Sequence, residues 1–221
     1  MPLVQLGERF RRLWLLKAGG TTLFMYAFFS GYFYLLQHPA YSPIATPITT
    51  IDRYLPYQTW AWGLYASLWL YTSLPVAFQP NLNWLLYYGF SIFLLCATGL
   101  TIFYFFPTVI PDDFLATYRG AQIKLLAGVD AAGNAAPSLH VASAIFSMLW
   151  LRQLLVEIKA PLLVNRFNYL WCAGIVYSTM ATKQHVLMDV VSGAAFGLLF
   201  ALLSLYGSRY LSRLKQLSIR T

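Results

Sequence analysis

Apolar residues fall into six long runs, at about 14–36, 59–78, 82–106, 138–156, 167–182 and 188–206. A helix needs about 20 apolar residues, with roughly 17 to 25 tolerated, to cross the hydrocarbon core of a bilayer. The pattern therefore predicts an all-α, polytopic membrane bundle of about six transmembrane helices. The fifth run is the shortest and approaches spanning length only with Ala181 and Thr182 included. The first run has a basic start (Arg9, Arg11, Arg12, Lys17), but its apolar part is long and lacks a clear small-residue cleavage site. It reads as a retained first helix. Two connections stand apart from the short ones. Residues 37–58 contain Pro39, Pro43, Pro47 and Pro56, and residues 107–137 contain Pro107, Pro111, Gly120, Gly128, Gly133 and Pro137. Each proline removes a backbone donor, so neither stretch continues as helix. With no internal repeat and no low-complexity break, residues 1–221 read as a single integral membrane domain.

Composition sharpens the class. Hydrophobic residues make up 59% of the chain and charged residues 10%, whereas soluble domains carry about a quarter charged. So little polar surface does not cover a globule in water. The formal charge of +8 does not signal nucleic acid, because the basic residues cluster at the ends of apolar runs instead of forming a stripe. They report topology. With six crossings, eleven Lys and Arg fall on the side holding both termini and four (Arg53, Arg119, Lys124, Lys183) on the other. The positive-inside rule then makes both termini cytoplasmic. The long linkers face the periplasm, lumen or exterior, together with all three histidines and with Asp52, Asp112, Asp113, Asp130 and Asp189. Cys96 and Cys172 lie inside apolar runs with no metal-binding spacing, and read as small buried residues.

Two stretches on that outer side carry candidate chemistry. Gly133-Asn134-Ala135-Ala136-Pro137-Ser138-Leu139-His140 leads into the fourth run. Small residues and then proline mark a helix start, whose free N–H groups and positive dipole end suit an anion. Ser138 adds a hydroxyl and His140 lies in the first turn. The plain alternative is a helix cap with a chance histidine. Lys183-Gln184-His185-Val186-Leu187-Met188-Asp189 opens the sixth run. His185 and Asp189, four apart, share a helix face. A carboxylate on one ring nitrogen fixes the tautomer and raises the basicity of the other. The plain alternative is an interfacial ion pair, but an acidic residue inside a spanning segment is costly and points to function. Together the stretches supply a nucleophile, its carboxylate partner, an acid–base and an anion cradle. That set suits phosphoryl transfer without a metal.

These residues resemble the type 2 phosphatidic acid phosphatase superfamily, which also includes bacterial acid phosphatases and vanadium haloperoxidases. Pro137-Ser138-Leu139-His140 is similar to its second motif, Pro-Ser-Gly-His, in the Leu form of the branch containing inositol phosphorylceramide synthases. Ser178 through Asp189 is similar to the third motif, Ser-Arg-x-x-x-x-x-His-x-x-x-Asp. The resemblance covers about residues 100–200, the expected catalytic core, and more weakly Thr46-Pro47-Ile48 and Asp52. It implies that His185 attacks phosphorus, Asp189 orients His185, and His140 protonates the departing oxygen. It also implies a lipid phosphate substrate, an acceptor alcohol where the phosphoryl group is transferred, and no cofactor or catalytic metal.

The chain departs from the motifs at two places. Thr179 replaces the arginine of the third motif, and Pro111-Asp112-Asp113 stands where Arg-Pro of the first is expected. Lys183, Ser138, Arg119 and Lys124 are the remaining candidates for binding phosphate, though lysine lacks the bidentate geometry of arginine. Asp112 and Asp113 read as a polar loop, a contact for a cationic headgroup or acceptor, or a divalent-ion site; Asp130 and Asn134 read as turn residues. Hydrolase and headgroup transferase remain open. From other classes, a lipid transporter would more often show repeated halves, and the missing first motif allows an inactive relative.

Overall fold

The computed structural model describes residues 2–118 and 133–218, and is mostly helical. Helices α1 (Pro2–Arg11) and α2 (Trp14–Gln37) are followed by a two-residue strand β1 (Ile44–Ala45) and short helix α3 (Thr50–Tyr54). Next come α4 (Ala61–Ala66), α5 (Leu68–Ala77) and α6 (Leu82–Phe105), then strand β2 (Thr108–Val109) and α7 (Asp112–Ala116). The chain ends with α8 (Leu139–Glu157), α9 (Leu162–Ala181) and α10 (Leu187–Ser218). Among the described residues, three stretches are long and apolar enough to cross a membrane: Leu82–Phe105, Leu139–Glu157 and Leu187–Leu211. The second expected run is interrupted at Ser67, between α4 and α5. There the Ser67 hydroxyl bonds back to the Leu64 carbonyl and accepts the Trp171 indole N–H, a local competition that bends helices.

Helix α8 is the centre of the bundle. Over half of its apolar stretch is buried (56%, against 28% for α6 and α10). One side joins Tyr88, Leu95, Phe103, Ala201 and Leu205 in a cluster with α6 and α10. The other joins Leu68, Tyr71, Cys172 and Ile175 of α5 and α9. Buried polar side chains tie the helices where water is excluded. Tyr71 Oη donates to Asn168 Oδ1 at 2.6 Å, and Trp150 Nε1 donates to Ser204 Oγ at 2.9 Å. The outer faces of α2, α6 and α10 present Leu23, Leu86, Phe90, Leu198 and Leu202, as lipid-facing helices do.

The closest approach is between α8 and α10. A Cβ on Gly193 would collide with the Ser138 carbonyl, and one on Gly197 with the Ala142 carbonyl. Small residues four apart let membrane helices pack backbone to backbone. The contact continues to the starts of both helices, where the Ser138 N–H donates to the Asp189 carbonyl at 3.1 Å. Neither long linker continues as an unbroken helix, although each holds a short one, α3 and α7, and the linkers are sewn to one another. Strands β1 and β2 pair in parallel, Ile44 with Thr108 and Ala45 with Val109. Val109 also bridges Gly133, so residues before α3, after α6 and before α8 share one patch. Beneath it Ile110, Phe114, Ala135 and Val186 form a small core.

Substituting Ala at Gly193 or Gly197 should destabilise the protein by about 1–3 kcal/mol through overpacking. Thermal unfolding in detergent should show it. Gly19→Ala, whose Cβ would meet nothing within 4 Å, should leave the melting temperature unchanged or slightly raised.

Candidate functional site

His140 and His185 line one elongated cavity of about 840 Å³. The wall is mostly apolar and aromatic, with Phe28, Tyr65, Trp69 and Cys96 among its residues, and it reaches Lys17 on α2. Helix α8 places His140 in its first turn because Ser138 caps that helix, its Oγ accepting the Val141 N–H at 3.2 Å. The His140 ring stacks on Tyr65 (centroids 4.1 Å apart, planes 21° apart) with Trp69 at its edge. Its Nε2 is buried without a hydrogen-bond partner. The imidazole is held on one face while this nitrogen stays free.

The loop carrying His185 is fixed at both ends. Helix α9 ends in a two-bond cap: the Gln184 N–H reaches the Thr179 carbonyl at 3.0 Å and the Lys183 N–H reaches Met180 at 3.1 Å. That is a Schellman motif, with Lys183 at φ 59° in the left-handed position glycine usually takes. The His185 N–H shares the Thr179 carbonyl at 3.0 Å. At the start of α10, Asp189 is fully buried and its Oδ2 accepts the Val186 N–H at 3.0 Å. His185 Nδ1 lies 3.6 Å from the same Oδ2. That is beyond hydrogen-bond length, yet near enough to close with a small ring rotation, and catalytic bonds often tighten only around substrate.

Asp52 is the residue that sequence reasoning underweighted. It is 2% exposed, and its Oδ1 accepts the Leu187 N–H at 2.8 Å. A carboxylate 135 residues away in sequence thus caps α10. Its Oδ2 accepts both the N–H and the hydroxyl of Thr49, at 2.8 and 2.6 Å. The signal was present as Thr49-x-x-Asp52, a capping-box spacing, but local spacing does not reveal that the second oxygen serves a distant helix. With Asp52 and Asp189 on its first N–H groups, the positive end of α10 is already occupied by protein carboxylates.

Of the other candidates within the described residues, Lys183, Ser138 and Thr179 are not on the cavity wall. Lys183 is 3% exposed. Its Nζ donates to the Asp52 carbonyl at 2.8 Å and the Leu55 carbonyl at 2.6 Å, and sits 4.5 Å from the Tyr118 ring centre. Burial pushes its pKa below the ordinary lysine value, opposed by the Asp52 carboxylate. Ser138 is fully buried, its oxygen engaged as the α8 cap. Thr179 is also fully buried, its hydroxyl bonded back to Val176. Arg119, Lys124 and Asp130 lie outside the described residues. Asp112 and Asp113 form the first turn of α7. Among the described residues, Lys17 is the one Lys or Arg on the cavity wall, and its Nζ donates to three carbonyls: Arg9, Ala77 and Gln79. No three metal-ligating side chains converge among the described residues.

A family model described as the PAP2 superfamily matches residues 18–213. No match was found among the curated proteins or among the solved structures.

Removing the Asp52 carboxylate with Asp52→Ala should cost about 1–2 kcal/mol, the usual loss for a helix cap, and should impair activity by loosening the His185 loop. Thr49→Ala leaves the Leu187 cap intact and should cost less in both. Thermal denaturation together with turnover of the same detergent preparations checks the ranking.

Proposed function

The chain belongs to the PAP2 superfamily, and on that premise we propose that it is a membrane lipid-phosphate phosphatase or phosphotransferase working through a phosphohistidine at His185. The observation that carries the reading is the shared cavity: both histidines, one of them braced by Asp189, open onto a space lined by apolar side chains. An apolar wall fits lipid chains, and a phosphate ester or anhydride at its polar end would meet the two imidazoles.

The steps use His185, Asp189 and His140. With the Nδ1–H turned to Asp189, the His185 Nε2 lone pair attacks phosphorus. The N–P bond forms as the bond to the departing oxygen breaks. His140 gives its Nε2 proton to that oxygen. Water or an acceptor alcohol then attacks phosphorus and the N–P bond breaks. His140 Nε2 takes the proton back, restoring the starting state. The side chain of Asp189 keeps the correct tautomer throughout and stabilises the positive charge that builds on His185.

In this reading α2, the α4–α5 pair and α9 join the three apolar spans to make six crossings. Both termini are cytoplasmic, and the site opens at the periplasmic, lumenal or extracellular face. The Lys and Arg asymmetry of eleven against four supports that orientation.

His185→Ala should abolish phosphate release from a panel of lipid phosphates in detergent, and His140→Ala should slow it by about 10²–10⁴-fold. Labelled phosphate should be trapped on wild type and not on His185→Ala. Wild-type turnover by His185→Ala would refute the nucleophile. Supplying acceptor alcohols separates the two chemistries, because transfer yields a new lipid product and hydrolysis does not.

A further inference from the structure

Beside the two histidines, the cavity wall holds a third residue with an unpartnered polar atom, and no motif accounts for it. Asn134 is 4% exposed, lines the same cavity as both histidines, and its Nδ2 is buried without a hydrogen-bond partner. Its backbone is in the left-handed region at φ 54°, which asparagine tolerates better than most residues. Both flanks are pinned. Gly133 bridges Val109. The Ala135 N–H donates to the Thr108 carbonyl at 3.4 Å, and the Ala136 N–H to Thr108 Oγ1 at 2.8 Å. Ala135 packs with Val186, the residue after His185. The amide is therefore held near the nucleophile's loop and has little freedom to seek a partner elsewhere.

A buried amide N–H without an acceptor is unfavourable, and native structures rarely keep one without a reason. His140, on the same cavity wall, also leaves its Nε2 unpartnered. A common partner for the two would be a group rich in acceptor oxygens. Lys17, the one cation among the described cavity-lining residues, is engaged on three carbonyls, and Lys183 on two. The positive end of α10 is capped by carboxylates. A neutral donor is what remains on the described cavity wall.

We propose that the Asn134 side-chain amide donates a hydrogen bond to a non-bridging oxygen of the substrate phosphoryl group, steadying the charge that develops as His185 attacks. This role rests on the phosphohistidine reading given above. It makes Asn134 a substrate-contacting residue, where its spacing alone suggested only a turn.

Two variants keep the left-handed backbone. Asn134→Gly removes the side chain at a position glycine accepts freely, and Asn134→Asp keeps the shape but replaces the donor with a repelling oxygen. Full-length protein in detergent is tested in two ways: turnover of lipid phosphate, and the rise in melting temperature produced by inorganic phosphate. Wild type and His185→Ala should both show a saturable phosphate-dependent rise, since the latter loses the nucleophile and keeps the cradle. In Asn134→Gly the rise should largely vanish and turnover should fall by about 10²-fold, the usual loss for one oxyanion donor. Asn134→Asp should be no better. The glycine variant decides, because aspartate also repels. An Asn134→Gly protein with wild-type turnover and a wild-type phosphate response overturns the proposal. So does the absence of a phosphate response in wild type, and so does failure of both variants to fold, which would make the side chain structural. Undiminished turnover in His185→Ala would instead overturn the phosphohistidine reading, leaving the phosphate response to judge the amide.

Discussion

The site depends on two helix backbones lying almost in contact. At Gly193 and Gly197 there is no room for a side chain between α10 and the carbonyls of Ser138 and Ala142 on α8. That closeness brings the first turn of α8, which carries His140, beside the first turn of α10, which carries Asp189. The backbone bond from Ser138 to Asp189 is the last link of the same contact. In a bilayer the hydrophobic effect does not press helices together, so close van der Waals packing between small residues supplies the association. The glycines of one helix thus set the separation of histidines that belong to two different elements.

Around that contact, polar groups are satisfied internally. Lys17 and Lys183 lie on different loops or helices, yet each ends on backbone carbonyls. Each cation closes a place where helix ends or irregular loops would leave acceptors bare, which apolar surroundings punish. Asp52 performs the complementary task for donors, taking N–H groups from α10 and from its own loop. Among the buried atoms left open, those of Asn134, His140 and His185 lie on residues that line the cavity where the chemistry is proposed.

Much of this was legible from the chain. Apolar run lengths gave α2, α6 and α8 to within a residue or two, because length and hydropathy decide helices of that kind. Pro137 and Ser138 marked the start of α8, since capping is local chemistry. Four-residue spacing predicted His185 and Asp189 on one helix face, but His185 sits in the loop before α10, and only its ring comes within 3.6 Å of Asp189. Other features escaped because they arise from distant partners. The interruption at Ser67 involves Trp171 of another helix, and α10 continues past its apolar run to Ser218 without a sequence break to predict its length. The β1–β2 pair joins residues 64 positions apart, with Ile44 opposite Thr108. Lys183 looked like a cation for phosphate because its neighbours in sequence are catalytic candidates. Its real neighbours are the carbonyls of Asp52 and Leu55, which no local pattern reveals.

The stack of His140 on Tyr65 has a stereochemical consequence. With one face of the imidazole covered, its free nitrogen exchanges protons from a fixed direction within the ring plane. On the proposed mechanism, the group that leaves and the group that arrives would then use the same side of phosphorus, opposite His185. Each displacement inverts the centre, and two inversions restore its original handedness. On the phosphohistidine reading, a chiral phosphorus would emerge from a complete transfer cycle with its configuration retained.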